Sequence, residues 1–251
     1  MKYLKRFNES IEDIDSICRK YRITNYTINQ DGSVDVDGDV YLSYKKLTRL
    51  PLKFGKVGGG FFCYNNKLTT LEGCPKTVGG SFWCYNNQLT TLEGGPTEVV
   101  GGSFYCYNNQ LTTLEGGPTK VGGDFSCSNN QLTTLEVCPK TVGCDFSCYN
   151  NQLTIINWDD VYTLNPISFN LESNPIFEVY RIFPDFKTFK DSLEWNYFKE
   201  PNIIIKERFV EACEILSEET GKTISIPEKI EGYIFESIKD DLGISENNSR
   251  Y

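Results

Sequence analysis

The chain has 251 residues, 39% hydrophobic and 14% aromatic, enough to support a packed core in one large domain or two small ones. A formal charge of −9 with no run of Lys or Arg speaks against a protein that tracks a nucleic-acid backbone. Histidine is absent, which removes imidazole acid–base chemistry, Ser-His and Cys-His nucleophiles and every His-containing metal motif.

No stretch of about 18 apolar residues occurs, and the charged start at residues 1–10 has no apolar run behind it. Neither a signal peptide nor a membrane span is expected, and a reducing cytoplasm is the expected compartment. Ser10 is a candidate N-cap, with Asp13 behind it and Ile11, Ile14, Ile17 and Tyr21 near one helical face. Alternation around Asp31-Gly32 predicts a hairpin within residues 25–40. Its aspartates Asp35, Asp37 and Asp39 lack the glycine register and closing glutamate of a calcium loop. Residues 1–35 are therefore read as a helix-plus-hairpin cap.

Over residues 36–176 the sequence repeats. Cys63, Cys84, Cys106, Cys127 and Cys148 recur at a near-constant interval inside the unit V-G-G-x-F-x-C-x-N-N-Q-L-T-T-L-E-G-x-P. A period near 21 residues is the signature of a solenoid. Full copies start at Val57, Val78, Val100, Val121 and Val142, with Val99 taken as an extra residue. A degenerate first copy starts at Val36 and places Val40, Leu42, Leu47 and Leu50 at the apolar positions, with Lys45 in the asparagine slot. Phe169, Leu171, Asn174 and Ile176 restore the spacing in a last coil.

If F-x-C is a short parallel strand, side chains alternate, and Phe82 and Cys84 face inward while Trp83 and Tyr85 face outward. The cysteines then read as small core wedges. One cysteine per coil makes a line, which suits neither the converging geometry of a zinc site nor the short Cβ separation of a disulfide. Cys138 and Cys144 alone stay open as a loose pair. Asn66, Asn87, Asn109, Asn130 and Asn151 are expected to bond the backbone of adjacent coils. The paired glycines are expected to form positive-φ turns. Glu72, Glu93, Glu115 and Glu136 are read as a solvated edge relieved by Lys76, Lys120 or Lys140.

The outward rows carry the candidate binding residues: Phe62, Trp83 and Tyr105 in one stripe, and Tyr64, Tyr85, Tyr107 and Tyr149 in the other. Seven large rings exceed the apolar patch that a soluble monomer ordinarily exposes. Beyond residue 177 the pattern turns helical, with Phe186, Phe189, Leu193 and Tyr197 on one face and a second helix from an N-cap at Asn202 to Gly221. Residues 177–251 are read as a helical cap ending in a frayed tail at 246–251.

The string F-x-C-x-x-N-x-L matches the leucine-rich-repeat core L-x-L-x-x-N-x-L, and NNQLTTLEG resembles the short, 20–22-residue bacterial class found in secreted effector proteins of pathogens. Over residues 36–176 the resemblance implies a curved leucine-rich-repeat solenoid, mostly β and loop, with the outward rows on its concave strand face. Glutamate stands where that class has proline, so the convex-side conformation is not carried over. The ubiquitin-ligase domain of those effectors has a Cys-x-Asp nucleophile, whereas Cys213 here is followed by Glu214 and Ile215, so that activity is not carried over either. Residues 1–10 resemble the starts of large-phage proteins and of uncharacterised bacterial repeat proteins, which would place the chain in the host cytoplasm or in the particle.

The sequence therefore predicts a non-enzymatic module that binds a protein partner on its aromatic face, with no catalytic residues, metal or cofactor. A structural or assembly component and a carbohydrate-binding repeat protein are the alternatives. Oligomeric state is left open.

Overall fold

The structure is a computed structural model that describes residues 13–237. The expected N-cap Ser10, Ile11 and the tail at 246–251 lie outside the described residues. The repeats form a parallel β-solenoid in which each full coil contributes two short strands to two separate ladders, rather than one strand to a single ladder. The first ladder is seven-stranded and begins with the hairpin β1 (Tyr26–Ile28) and β2 (Val34–Val36). It continues through Phe54–Val57, Thr77–Val78, Glu98–Val99, Lys120–Val121 and Thr141–Val142. The second ladder, also seven-stranded, begins with β3 (Val40–Tyr41) and runs through the F-x strands to Phe169–Asn170.

Glycines separate the two strands of a full coil, as a pair except in the fifth, where Cys144 follows Gly143. Expected as positive-φ turns, these glycines are instead a close-approach corner. A Cβ on Gly79 would lie 2.0 Å from the Gly58 carbonyl oxygen, and one on Gly143 would lie 2.0 Å from that of Gly122. Only a residue without a side chain lets backbone stack on backbone here. The left-handed conformation falls elsewhere. It is taken by the glycine after each glutamate, Gly73, Gly94 and Gly116, and by the first asparagine of each pair, as at Asn65 and Asn86. In the fourth full coil Val137 occupies the glycine position at φ 55°, half-exposed, where a β-branched residue is strained.

The inserted residue is Val100, not Val99. Val99 pairs with Val78 and Val121 and is fully buried, whereas Val100 is 48% exposed at the corner. Keeping the strand register pushes the extra residue out into the turn. The other inward rows are buried as read. Their centre is a column of phenylalanines, Phe61, Phe82, Phe104, Phe125, Phe146 and Phe169, with successive ring centroids 4.9–5.6 Å apart. Phe54 closes one end edge-on at 5.1 Å, and Phe186 stacks on the other at 3.9 Å.

The consensus asparagines bond neighbouring coils as expected. The Leu111 N–H donates to Asn130 Oδ1 at 3.0 Å, while Asn130 Nδ2 donates to the Cys106 and Cys127 carbonyls at 3.2 and 2.8 Å. The same triangle recurs at Asn66, Asn87, Asn109, Asn151 and Asn174. The first asparagines make a parallel ladder of their own: Asn86 donates to Asn65 at 2.7 Å and Asn108 to Asn86 at 2.8 Å.

At the N-terminal end residues 13–21 are helical, with Ile14 and Cys18 buried, and the hairpin turns at Asp31-Gly32 as predicted. The C-terminal region is mixed rather than helical. Residues 202–205 were expected to open a helix, but Ile203–Ile205 is the middle strand of a three-stranded sheet with Phe198–Glu200 and Ile234–Glu236. Three consecutive β-branched residues favour extended backbone, and the helix starts only at Lys206, running to Thr220 with Gly221 as its left-handed C-cap. The other expected helix is Phe186–Ser192, N-capped by Asp185, and Tyr197 lies buried beyond its end. The Tyr233 hydroxyl donates to the Thr154 carbonyl at 2.6 Å and Lys190 Nζ to the Leu164 carbonyl at 2.7 Å, docking this region on the last coils.

Two substitutions separate the ladder bond from backbone strain. Asn130→Ala leaves a buried N–H and two carbonyls without their side-chain partner and is expected to cost about 2–4 kcal/mol in urea denaturation. Val137→Gly relieves the left-handed valine and is expected to gain about 1 kcal/mol.

Candidate binding face and the cysteine ladder

All ten cysteines are free, and all but the half-buried Cys144 are buried, so the loose pair left open between Cys138 and Cys144 does not form. Each ladder thiol sits against the next coil. Cys106 Sγ donates to the Ser126 carbonyl at 3.4 Å and Cys148 Sγ to the Asn170 carbonyl at 3.5 Å. Burial pushes the ladder thiols Cys84, Cys106 and Cys148 well above the ordinary range, and Cys138, outside the ladder, to about 12. A thiol held protonated is a poor nucleophile and a poor metal ligand. Among the described residues no group of three or more Cys, Asp or Glu side chains is placed to hold a metal ion.

The outward face of the second ladder gathers the predicted rings into one patch. Tyr64, Tyr85 and Tyr107 stack face to face at 4.5 and 4.4 Å, with interplanar angles of 12° and 9°. In the adjacent stripe Phe62 meets Trp83 edge-on at 4.8 Å, and Trp83 stacks on Tyr105 at 5.8 Å. Tilted contacts of Trp83 with Tyr64 and Tyr85 join the stripes. All six rings are half-buried. Desolvation in the stack pushes the Tyr85, Tyr105 and Tyr107 hydroxyls up, so they stay neutral donors. Trp83 Nε1 is buried without a hydrogen-bond partner, an unsatisfied donor at the centre of the patch.

Tyr149 does not join this stack. Ser128 interrupts its stripe, and the Tyr149 hydroxyl accepts from Asn129 Nδ2 at 3.0 Å. Where rings give way to serines the face becomes polar: Ser128 Oγ lies 3.0 Å from Ser147 Oγ, and the Tyr105 hydroxyl donates to Asp124 at 2.8 Å.

Two rings that sequence reasoning did not place on the face extend it toward the N-terminal end. Tyr41 stacks on Phe62 at 5.0 Å and Tyr44 meets Tyr64 edge-on at 5.4 Å. Carrying the strand register back from Phe61–Phe62 to Val40–Tyr41 would have found Tyr41. Tyr44 takes the position of the first asparagine, where a ring has no precedent in the other coils. The glutamate row is exposed as expected, but Lys120 pairs with Glu98 at 3.5 Å instead of relieving that row. Away from the rings, the return path of the first coil holds an open groove of about 900 Å³, with Lys46, Arg49, Lys53 and Lys76 around Leu50 and Phe54.

Among the described residues no helix is long and apolar enough to cross a membrane. No protein-family model matches the chain, and no curated protein matches it significantly.

The buried thiols predict a sharp alkaline limit. Cys63, Cys74, Cys84, Cys106, Cys127 and Cys148 have folded pKa values raised above the 9.0 of a free thiol. Their contribution is fully present below pH 9 and is lost as pH rises and the unfolded chain ionises. Each costs about 1.4 kcal/mol per pH unit. Six together are expected to remove a typical folding stability within about one to two units above pH 9. Circular dichroism across a pH series in reductant checks this; a fold unchanged at pH 11 would contradict the buried ladder.

Proposed function

We propose that this protein is a non-enzymatic binding module of leucine-rich-repeat type that docks a protein partner on the aromatic face of its second ladder, centred on Trp83, Tyr85, Tyr105 and Tyr107. The supporting observation is the contiguous patch itself. Half-buried rings run along several coils and stop where Ser126 and Ser128 begin, a boundary that ladder stability alone does not require. Interfaces concentrate Trp and Tyr at their centres.

The ring geometry favours protein over carbohydrate. A sugar stacks on an open ring face, and here the faces of Tyr64, Tyr85 and Tyr107 are turned onto one another, presenting edges and hydroxyls. Ten unpaired cysteines fit a reducing compartment such as a host cytoplasm, the setting that the resemblance of residues 1–10 suggests.

Coil four carries Ser126 and Ser128 at the positions equivalent to Tyr105 and Tyr107 and keeps its strand, so Trp83→Ser/Tyr85→Ser is expected to fold. In pull-downs from a bacterial lysate the wild-type chain should retain a partner that this variant loses by about tenfold or more. An unchanged partner set with an unchanged melting curve would overturn the assignment of the face.

A further inference from the structure

The degenerate first coil reverses the charge of a row that the first four full coils share. On either side of the buried leucines Leu71, Leu92, Leu114 and Leu135 those coils carry threonine and glutamate, whereas the first coil carries Arg49 and Pro51 around Leu50. Lys46, Arg49, Lys53 and Lys76, all exposed, line the open groove of about 900 Å³ on the return path. Among the described residues only Lys53 of these four is ion-paired, to Asp31 at 2.7 Å, and Glu72 is the one acid lining the groove. In a chain of net charge −9 this is a local excess of positive charge.

Capping alone does not call for it. A terminal repeat needs a polar outer face, which charge of either sign provides. Toward the other end of the repeats the same row passes an acidic hollow, lined by Glu136, Asp159, Asp160 and Glu194. Nor is the basic groove uniformly polar. Leu50 and Phe54, both buried, and the half-buried Leu47, Pro51 and Leu52 also line it. Apolar side chains edged by unpaired cations are complementary to a ligand that brings carboxylates and apolar side chains together. A nucleic-acid strand is a poorer match, because Glu72 at the groove and Glu93 and Glu115 beyond it, all exposed, repel a charged backbone running on along the repeats.

We propose that this groove binds a short acidic segment of a partner protein, with Asp or Glu side chains paired to Lys46, Arg49 and Lys76 and an apolar residue set against Leu47 and Leu52. The glutamate row repels such a segment along the neighbouring coils, so the same charges that make the chain acidic confine the ligand to the first coil. The groove lies on the return path rather than on the aromatic face, and occupation of one leaves the other open.

An array of dodecapeptides built from Asp, Glu, Leu, Ile and Phe, with a matched set in which Asn and Gln replace the acids, tests the proposal on the full chain. Acidic members should retain the wild type and their amide counterparts should not, and retention should fall as salt rises from about 50 to about 300 mM. Lys46→Gln/Arg49→Thr/Lys76→Thr introduces the residues that full coils carry at the same positions, as at Gln88, Thr70 and Thr97. It should therefore melt like wild type while binding the best acidic peptides about tenfold more weakly. Lys187→Gln/Lys206→Gln/Lys229→Gln removes the same charge from the C-terminal region and should bind like wild type. Trp83→Ser/Tyr85→Ser should also bind like wild type, which separates this groove from the aromatic face. Retention by no acidic peptide, equal retention by the amide set, or equal weakening in both triple variants would overturn the proposal, as would tighter binding of an oligothymidylate than of any acidic peptide.

Discussion

The asparagine that ends each strand of the second ladder is the constraint on which the rest of the molecule depends. Where the chain turns off the strand, carbonyls and an N–H would be buried without partners, at about 1–3 kcal/mol each. One amide answers them on two coils at once, as Asn130 does for Leu111, Cys106 and Cys127. Because the same bond recurs at the same place, successive coils are locked in register at strand spacing. Every side-chain row then becomes a column, which is why a phenylalanine meets a phenylalanine and why a residue as small as cysteine suffices beside it.

The same registration acts on the outside of the ladder. Tyrosines at equivalent positions have no choice but to stack, and stacking hides their faces while leaving their edges and hydroxyls available. The face is graded along the axis: exposed rings at β3, half-buried rings through the coils of Trp83 and Tyr107, then the serines and Asp124. Register alone explains why a ring touches a ring. Identity is a separate choice, made coil by coil, and it is in these choices that a binding surface differs from a scaffold.

Much of this was legible because periodicity converts one observation into many. The inward rows of Phe, Cys and Leu, the asparagine role, the outward stripes and the Asp31-Gly32 hairpin follow from alternation and spacing. What escaped was local. Two adjacent valines, Val99 and Val100, carry equal hydrophobicity, and only pairing with Val78 and Val121 shows which one is inside. The paired glycines advertise freedom of φ, yet what they supply is the absence of a Cβ where Gly79 passes Gly58. Residues 202–205 read as the start of a helix until the sheet with residues 198–200 and 234–236 claims them. Tyr149 shares a stripe with Tyr107 by count, but Ser128 leaves a missing rung between them and its hydroxyl turns to Asn129.

The phenylalanine column runs unbroken from Phe54 to Phe186, and its interior steps all fall within 4.9–5.6 Å. Such a spine is indifferent to its own length. Gaining or losing one whole coil would move the two ends by a single strand spacing, about 4.8 Å, without altering what either end touches. Coil number is therefore a free variable for this architecture, and the reach of its aromatic face can be lengthened or shortened as beads are added to a string, with the caps unchanged.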